Sequence, residues 1–299
     1  MGQKRPCQMS LSVALQLGRI SNLPTVWTNV LVGTVLAGGE PWTPSALLAG
    51  IGLSLLYVSG MYLNDAFDRD IDAKERPTRP IPAGLISLNA VFAAGFGLML
   101  AGFAFVLWAS TAASPPTGWQ PMLAGFGLGA AILFYDWHHK SNALSPLFMG
   151  LCRVLAYLTA GFVAVRQPSS VLLVAALASL CYLIGLTYAA KQEALDRLGS
   201  LWPLLFLAAP VAYGASQLGS GDALVAMYLV ALVIWIAIAL YFLKRRAKGD
   251  VSRAVIGLIA GIALVDAMLL ATAGATGAAG FAVLCLLLTL AMQRWVSGT

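Results

Sequence analysis

A chain of 299 residues that is 60% hydrophobic and only 10% charged is excluded from the ordinary water-soluble globular class, where charged residues make up roughly a quarter. A mean hydropathy of +0.83 points instead to a polytopic membrane protein, an all-α transmembrane bundle. The net charge of +6 does not argue for a nucleic-acid partner, because the basic residues follow the ends of apolar runs.

Apolar runs of bilayer-spanning length, about 20 residues, lie near 20–38, 45–63, 87–109, 120–136, 146–165, 169–190, 200–218, 223–243, 254–273 and 277–293. The count is ten spans. The last two are separated only by Gly274-Ala275-Thr276, so nine is the alternative. The first run is too long for a signal-peptide core and has no small-residue cleavage site, so it reads as a span. With the N-terminus cytoplasmic, every basic residue except Arg166 falls on the inner side, including Lys4, Arg5, Arg19, Arg153 and the 244–253 cluster. The expectation is a multi-pass inner (cell) membrane protein with both ends and its polar cap in the cytoplasm. No linker or low-complexity stretch interrupts residues 1–299, which read as a single domain. Cys7, Cys152, Cys181 and Cys285 show no disulfide or metal spacing and read as small buried hydrophobes. Gly95, Gly97, Gly102 and Gly125, Gly127 and Gly129 read as helix-packing positions.

Within the first run Asn29 is an isolated polar residue, suited either to binding a substrate or to a helix–helix hydrogen bond. The second run ends in Asn64-Asp65-Ala66-Phe67-Asp68-Arg69-Asp70-Ile71-Asp72, four carboxylates and an amide at a membrane helix end. Such acids repel one another and need a cation to hold them together. On a helix turning about 100° per residue, Asp65, Asp68 and Asp72 fall within roughly 60° of one another, Asn64 lies at the edge of that face, and Asp70 points away. Hard oxygen ligands so arranged suit Mg²⁺, which keeps several waters and is completed by substrate phosphates. Next comes Lys74-Glu75-Arg76-Pro77-Thr78-Arg79-Pro80-Ile81-Pro82-Ala83-Gly84, a loop stiffened by proline in which Arg76 and Arg79 can aim guanidinium forks at the acids or at a phosphate.

The fourth run closes with Tyr135-Asp136-Trp137-His138-His139-Lys140. Lys140 suits a phosphate. Tyr135, Trp137 and the histidines suit the membrane interface, since adjacent histidines point about 100° apart and share a metal poorly. The sixth run closes with Lys191-Gln192-Glu193-Ala194-Leu195-Asp196-Arg197, where Glu193 and Asp196 share a helix face and make a second acidic pair on the same membrane side. Asp266, alone in an apolar run, should face the bundle interior, either protonated or bonded to a neighbouring helix, and outside the active site.

The first acidic motif, with its proline loop Arg76-Pro77-x-Arg79-Pro80-Ile81-Pro82-x-Gly84, resembles the UbiA superfamily of intramembrane prenyltransferases. The resemblance continues through Tyr135…Lys140 and Asp196-Arg197-x-Gly199 and covers roughly residues 15–220. In detail it is most similar to the UbiA-like proteins of bacterial "ebo" gene clusters. It implies a helical bundle around a central cavity open to lipid, with Mg²⁺ ions between two acidic motifs. The implied reaction moves a prenyl group from an allylic diphosphate to a small aromatic or cyclitol-like acceptor, with release of pyrophosphate. On matching positions it implies Asn64, Asp68 and Asp72 as metal ligands with Asp65 close by, a second ion at Glu193 and Asp196, and Arg79 and Lys140 on the diphosphate. Arg76, Lys191, Tyr135 and Asn29 become further substrate contacts. Trp27, Tyr62, Tyr157, Tyr188 and Trp202 are candidates to shield an allylic cation, and equally suit packing. The second motif departs from the family's paired aspartates, having Gln192 four residues before Asp196. That departure keeps open a non-catalytic lipid- or metabolite-binding relative. A cation-coupled transporter would bury its acids nearer the midplane. A CDP-alcohol phosphotransferase would need glycine where Arg69 stands.

Overall fold

Each apolar run forms helix because nothing within it breaks one, and the breakers stand at the ends. The computed structural model describes residues 10–138, 142–191, 201–219 and 222–296, and among them there is no strand. Helix α1 (Leu11–Leu17) is capped by Ser10, whose Oγ accepts from the Val13 amide. A 3-10 turn over Ile20–Asn22 leads into α2 (Pro24–Ala37), which opens on Pro24 and closes on Gly38 at φ +99°. Helix α3 (Pro44–Phe67) starts from a Thr43 cap, gives way at Asp68 to the short α4 (Arg69–Glu75), and α5 (Leu88–Ala112) starts from a Ser87 cap. Then follow α6 (Gln120–His138), α7 (Ser145–Ala164) and α8 (Ser170–Lys191). A 3-10 segment over Trp202–Ala208 runs into α9 (Ala209–Ser216), followed by α10 (Ala223–Arg245), α11 (Asp250–Thr272) and α12 (Thr276–Met292).

Gly274 at φ +72° turns the chain between α11 and α12, so the last two runs are separate helices. By length and composition, seven helical segments among the described residues can cross a membrane: Ile20–Ala37, α3, α5, α7, α8, α10 and α11. Trp202–Ser216 and α12 are shorter apolar helices. Burial orders the bundle. Along its most apolar stretch α11 is 83% buried, against 28% for α5, so α11 is the central post and α5 a peripheral stave. Around α11 gather Val32, Leu186, Leu232 and Leu286 from four other helices in one apolar cluster.

Helices α3 and α5 meet through small residues. A Cβ on Gly52 would sit 3.0 Å from the Gly102 carbonyl oxygen and 3.1 Å from the Val106 amide, and Ser59 Oγ donates across the same seam to the Gly95 carbonyl at 2.8 Å. Gly95, Gly102 and Gly129 are likewise packing positions, each with a neighbouring side chain within 3.0 Å of an added Cβ. Gly97 departs from the expectation, because it faces open space. Replacing Gly52 by leucine forces backbone apart from backbone, a destabilisation of about 1–3 kcal/mol. We expect a lowered unfolding temperature in detergent for Gly52→Leu and none for Gly97→Leu; equal effects would contradict the close seam.

Arg153 corrects the charge map. It lies within α7, buried, not in an inner loop, and Arg153 Nη2 pairs with Asp266 Oδ2 of α11 at 2.6 Å. The Thr28 and Tyr157 hydroxyls donate to the same carboxylate. Asp266 is thus bonded to two neighbouring helices, as one of its two expected arrangements required.

Candidate active site

The α3–α4 break at Asp68 does not scatter the acids. The Asp68 amide still bonds the Asn64 carbonyl and the Asp72 amide the Asp68 carbonyl, so the chain keeps helical pitch through the join. Asp65, Asp68 and Asp72 are 6%, 5% and 1% exposed, whereas the Asp70 side chain is 89% exposed and pairs outside with Arg69 at 3.5 Å. Two residues of spacing separate a buried acid from a solvated one.

Two guanidinium groups tie the buried acids together. Arg79 Nη1 donates to Asp65 Oδ1 and Asp72 Oδ2, each at 2.9 Å. The proline loop holds it there through successive turns, Arg79 amide to Arg76 carbonyl and Ala83 amide to Arg79 carbonyl, with Gly84 at φ +71° and Ile81 and Ile86 buried against α1. Arg76 is exposed and lies away from the cluster. Arg19, read from the sequence only as an anchor, is the second cation. Its Nη2 donates to Asp65 Oδ1 at 3.0 Å and Asn64 Oδ1 at 3.2 Å. The backbone there is left-handed, φ +42°, and the Arg19 carbonyl accepts from Tyr57 at 3.2 Å. An arginine in that conformation is uncommon and is held by its surroundings. The available signal was its position: a lone basic residue after Gly18, where the chain breaks before the first span.

The second missed residue is Asp136. Its Oδ1 accepts from Asn64 Nδ2 at 3.2 Å and so joins α6 to the acid cluster. Asn64 is therefore held on both faces of its amide.

The cluster's donor set fits a hard divalent cation. Asp65, Asp68, Asp72 and Asn64 offer only oxygens, and Asp72 Oδ1 is buried with no hydrogen-bond partner. Burial pushes the Asp72 carboxyl above the usual carboxylate range, against the opposing pull of Arg79. Among the described residues no group of three or more His, Cys, Asp or Glu side chains is gathered into a metal cage by itself. Lys140, Glu193 and Asp196 lie outside the described residues, as do His139 and Gln192. Lys191 donates from Nζ to the Asn142 carbonyl at 3.0 Å, at the end of α8.

Behind the acids is a partly open cavity of about 160 Å³ lined by α2, α3, α6, α7, α8 and α11, with Asn29, Tyr57, Tyr135, Asp136 and Arg153 as its polar and aromatic wall. Along α2, α3 and Phe281 of α12 runs a larger apolar groove of about 810 Å³, from Leu23 near the acid end to Trp42 at the opposite end. The aromatics differ from those expected. Tyr62 is spent on the Ala14 carbonyl, Tyr157 on Asp266, Trp202 is exposed, and Tyr188 lines neither space. Trp27 lines the groove and bonds Ser54 at 3.3 Å, while Tyr57 and Tyr135 face the cavity.

The UbiA prenyltransferase family model matches residues 26–256. The digeranylgeranylglyceryl phosphate synthase of Sulfolobus acidocaldarius is 30% identical over 136 residues, 46% of this chain and 46% of its own length. The chain thus spans under half the length of such curated relatives. Among solved structures, a UbiA homologue from Aeropyrum pernix K1 superimposes with a TM-score of 0.59 at 20% identity, covering 84% of this chain and 96% of that one. A UbiA homologue from Archaeoglobus fulgidus, bound to GPP and Mg²⁺, gives 0.57 at 15% identity, with 86% and 99% covered.

Proposed function

The chain belongs to the UbiA prenyltransferase family, and we propose that it transfers a prenyl group from an allylic diphosphate to a small aromatic or cyclitol-like acceptor, releasing pyrophosphate within the membrane. The observation that carries this reading is the acid cluster cross-tied by Arg19 and Arg79, with a polar cavity behind it and an apolar groove beside it. The bound GPP and Mg²⁺ of the Archaeoglobus fulgidus homologue support the donor and the ion.

Asp68 and Asp72, with Asn64 and Asp65, would hold Mg²⁺, which neutralises charge on a departing pyrophosphate. Arg79 keeps further N–H donors beyond the one bridging Asp65 and Asp72, and these suit the diphosphate oxygens. Lys140 and Lys191 are proposed to complete that contact, and the Glu193–Asp196 pair to hold a second Mg²⁺. The prenyl tail lies in the apolar groove, where its hydrocarbon leaves the site without crossing water. Tyr57 and Tyr135, which line the cavity, would shield the carbon left electron-poor. The excess of basic residues at the acid end supports a cytoplasmic placement of that end in an inner-membrane protein, and residues 1–299 are read as one domain.

The test is pyrophosphate release by purified protein in detergent from geranyl, farnesyl and geranylgeranyl diphosphates, with aromatic and cyclitol acceptors and with Mg²⁺ or EDTA. We expect release that requires Mg²⁺. Saturable donor binding with no release under any pairing would replace the enzyme by a non-catalytic binding relative.

A further inference from the structure

We infer that the cavity behind the acids is a subsite for an uncharged, ring-sized acceptor carrying at least two hydroxyl groups, with Asn29, Asp136 and Arg153 setting that specificity. The inference rests on the transferase reading and narrows it. Three buried polar atoms on residues that line this one cavity have no hydrogen-bond partner: Asn29 Oδ1, Asp136 Oδ2 and Arg153 Nε. Each residue is more than nine-tenths buried. Their neighbouring atoms Asp136 Oδ1 and Arg153 Nη2 are already committed, to Asn64 and to Asp266. What remains is two acceptors and one donor. Unmade hydrogen bonds on buried groups are costly, so an occupant that makes them is strongly preferred over one that does not. Two hydroxyl groups supply both donations and, through one oxygen, the acceptance.

Size and charge narrow the occupant further. A cavity near 150 Å³ takes up a single benzene ring, and this one is about 160 Å³. Among the described residues, Arg153 is the one basic side chain in its wall, and it is already answered by Asp266 at 2.6 Å. A carboxylate or phosphate entering here would lose its hydration with no unpaired cation in the wall to replace it. Uncharged hydroxyl compounds meet no such barrier.

Isothermal titration of the full-length protein in detergent tests this with catechol and with dihydroxybenzamide and dihydroxybenzoate, two probes of one size that differ in charge. We expect saturable binding of catechol and the amide, and at least tenfold weaker binding of the carboxylate. Asn29→Leu should weaken the neutral probes at least tenfold. Asp136→Leu, which removes the second orphaned oxygen, should do the same. Equal binding of amide and carboxylate, unchanged binding of the neutral probes in both variants, or no saturable binding of any probe, as for a cavity holding water only, would each overturn the inference. Pyrophosphate release in the same preparations reads the transferase separately. Selective binding without release sinks the transferase and keeps the subsite, and release without selectivity does the reverse.

Discussion

Asp72→Asn is expected to lower Mg²⁺-dependent pyrophosphate release by at least roughly a hundredfold, the scale seen when one preorganised charge-stabilising group is removed from an active site, while Asp70→Asn stays within about twofold. The two aspartates are two residues apart and chemically identical, so only their surroundings separate them. Asp72 is 1% exposed, gives one oxygen to Arg79 and keeps the other buried and unpartnered; Asp70 lies in solvent against Arg69. An asparagine at 72 still offers Arg79 an oxygen, so the loop stays anchored and a folded protein with a lost charge is what the assay reads. Asp68→Asn should follow Asp72→Asn, since Asp68 shares the buried face. Equal losses at 68, 70 and 72 would show that general acidity at this end, not the buried face, sustains turnover.

The largest effect on stability is expected at Arg153 and Asp266. Removing one member of a buried ion pair strands the other charge, at about 3–5 kcal/mol, whereas replacing both with apolar residues of similar volume is often neutral or stabilising. Here the pair joins α7 to the central α11 with Asp266 fully buried, and Thr28 and Tyr157 add donors from α2 and α7. Arg153→Met and Asp266→Leu should each lower the unfolding temperature in detergent markedly, and the double variant should recover most of the loss. Thr28 and Tyr157, left facing leucine, set the part not recovered. Additive losses in the double variant would show that the two side chains act independently.

Much of this architecture was legible because it is local. Apolar runs and their proline, glycine and threonine boundaries are written in consecutive residues, as with Thr43-Pro44 before α3 and Gly38 after α2. The burial of Asp65, Asp68 and Asp72 and the exclusion of Asp70 follow from helical pitch, and Arg79 is only seven residues from Asp72. The partners that sequence reading missed are distant: Arg19 reaches Asp65 across 46 positions, Asn64 reaches Asp136 across 72, and Arg153 reaches Asp266 across 113. No periodicity encodes which helix lies beside which. Arg153 shows the cost of that blindness, since a basic residue inside a span was counted with the inner-side anchoring charges when its partner lay on another helix.

Arg19 and Arg79 have one more consequence. Because both guanidiniums already lie against the carboxylates, the like charges of Asp65 and Asp72 are gathered and balanced when the chain folds, before any ligand arrives. On the proposed function, a diphosphate would therefore enter by exchange, with carboxylate oxygens freed for a cation as arginine N–H groups turn to phosphate. Binding affinity would then measure the difference between two sets of ion pairs, not the full strength of either. The same arrangement would ease the departure of pyrophosphate, since the arginines that release it have carboxylates to return to.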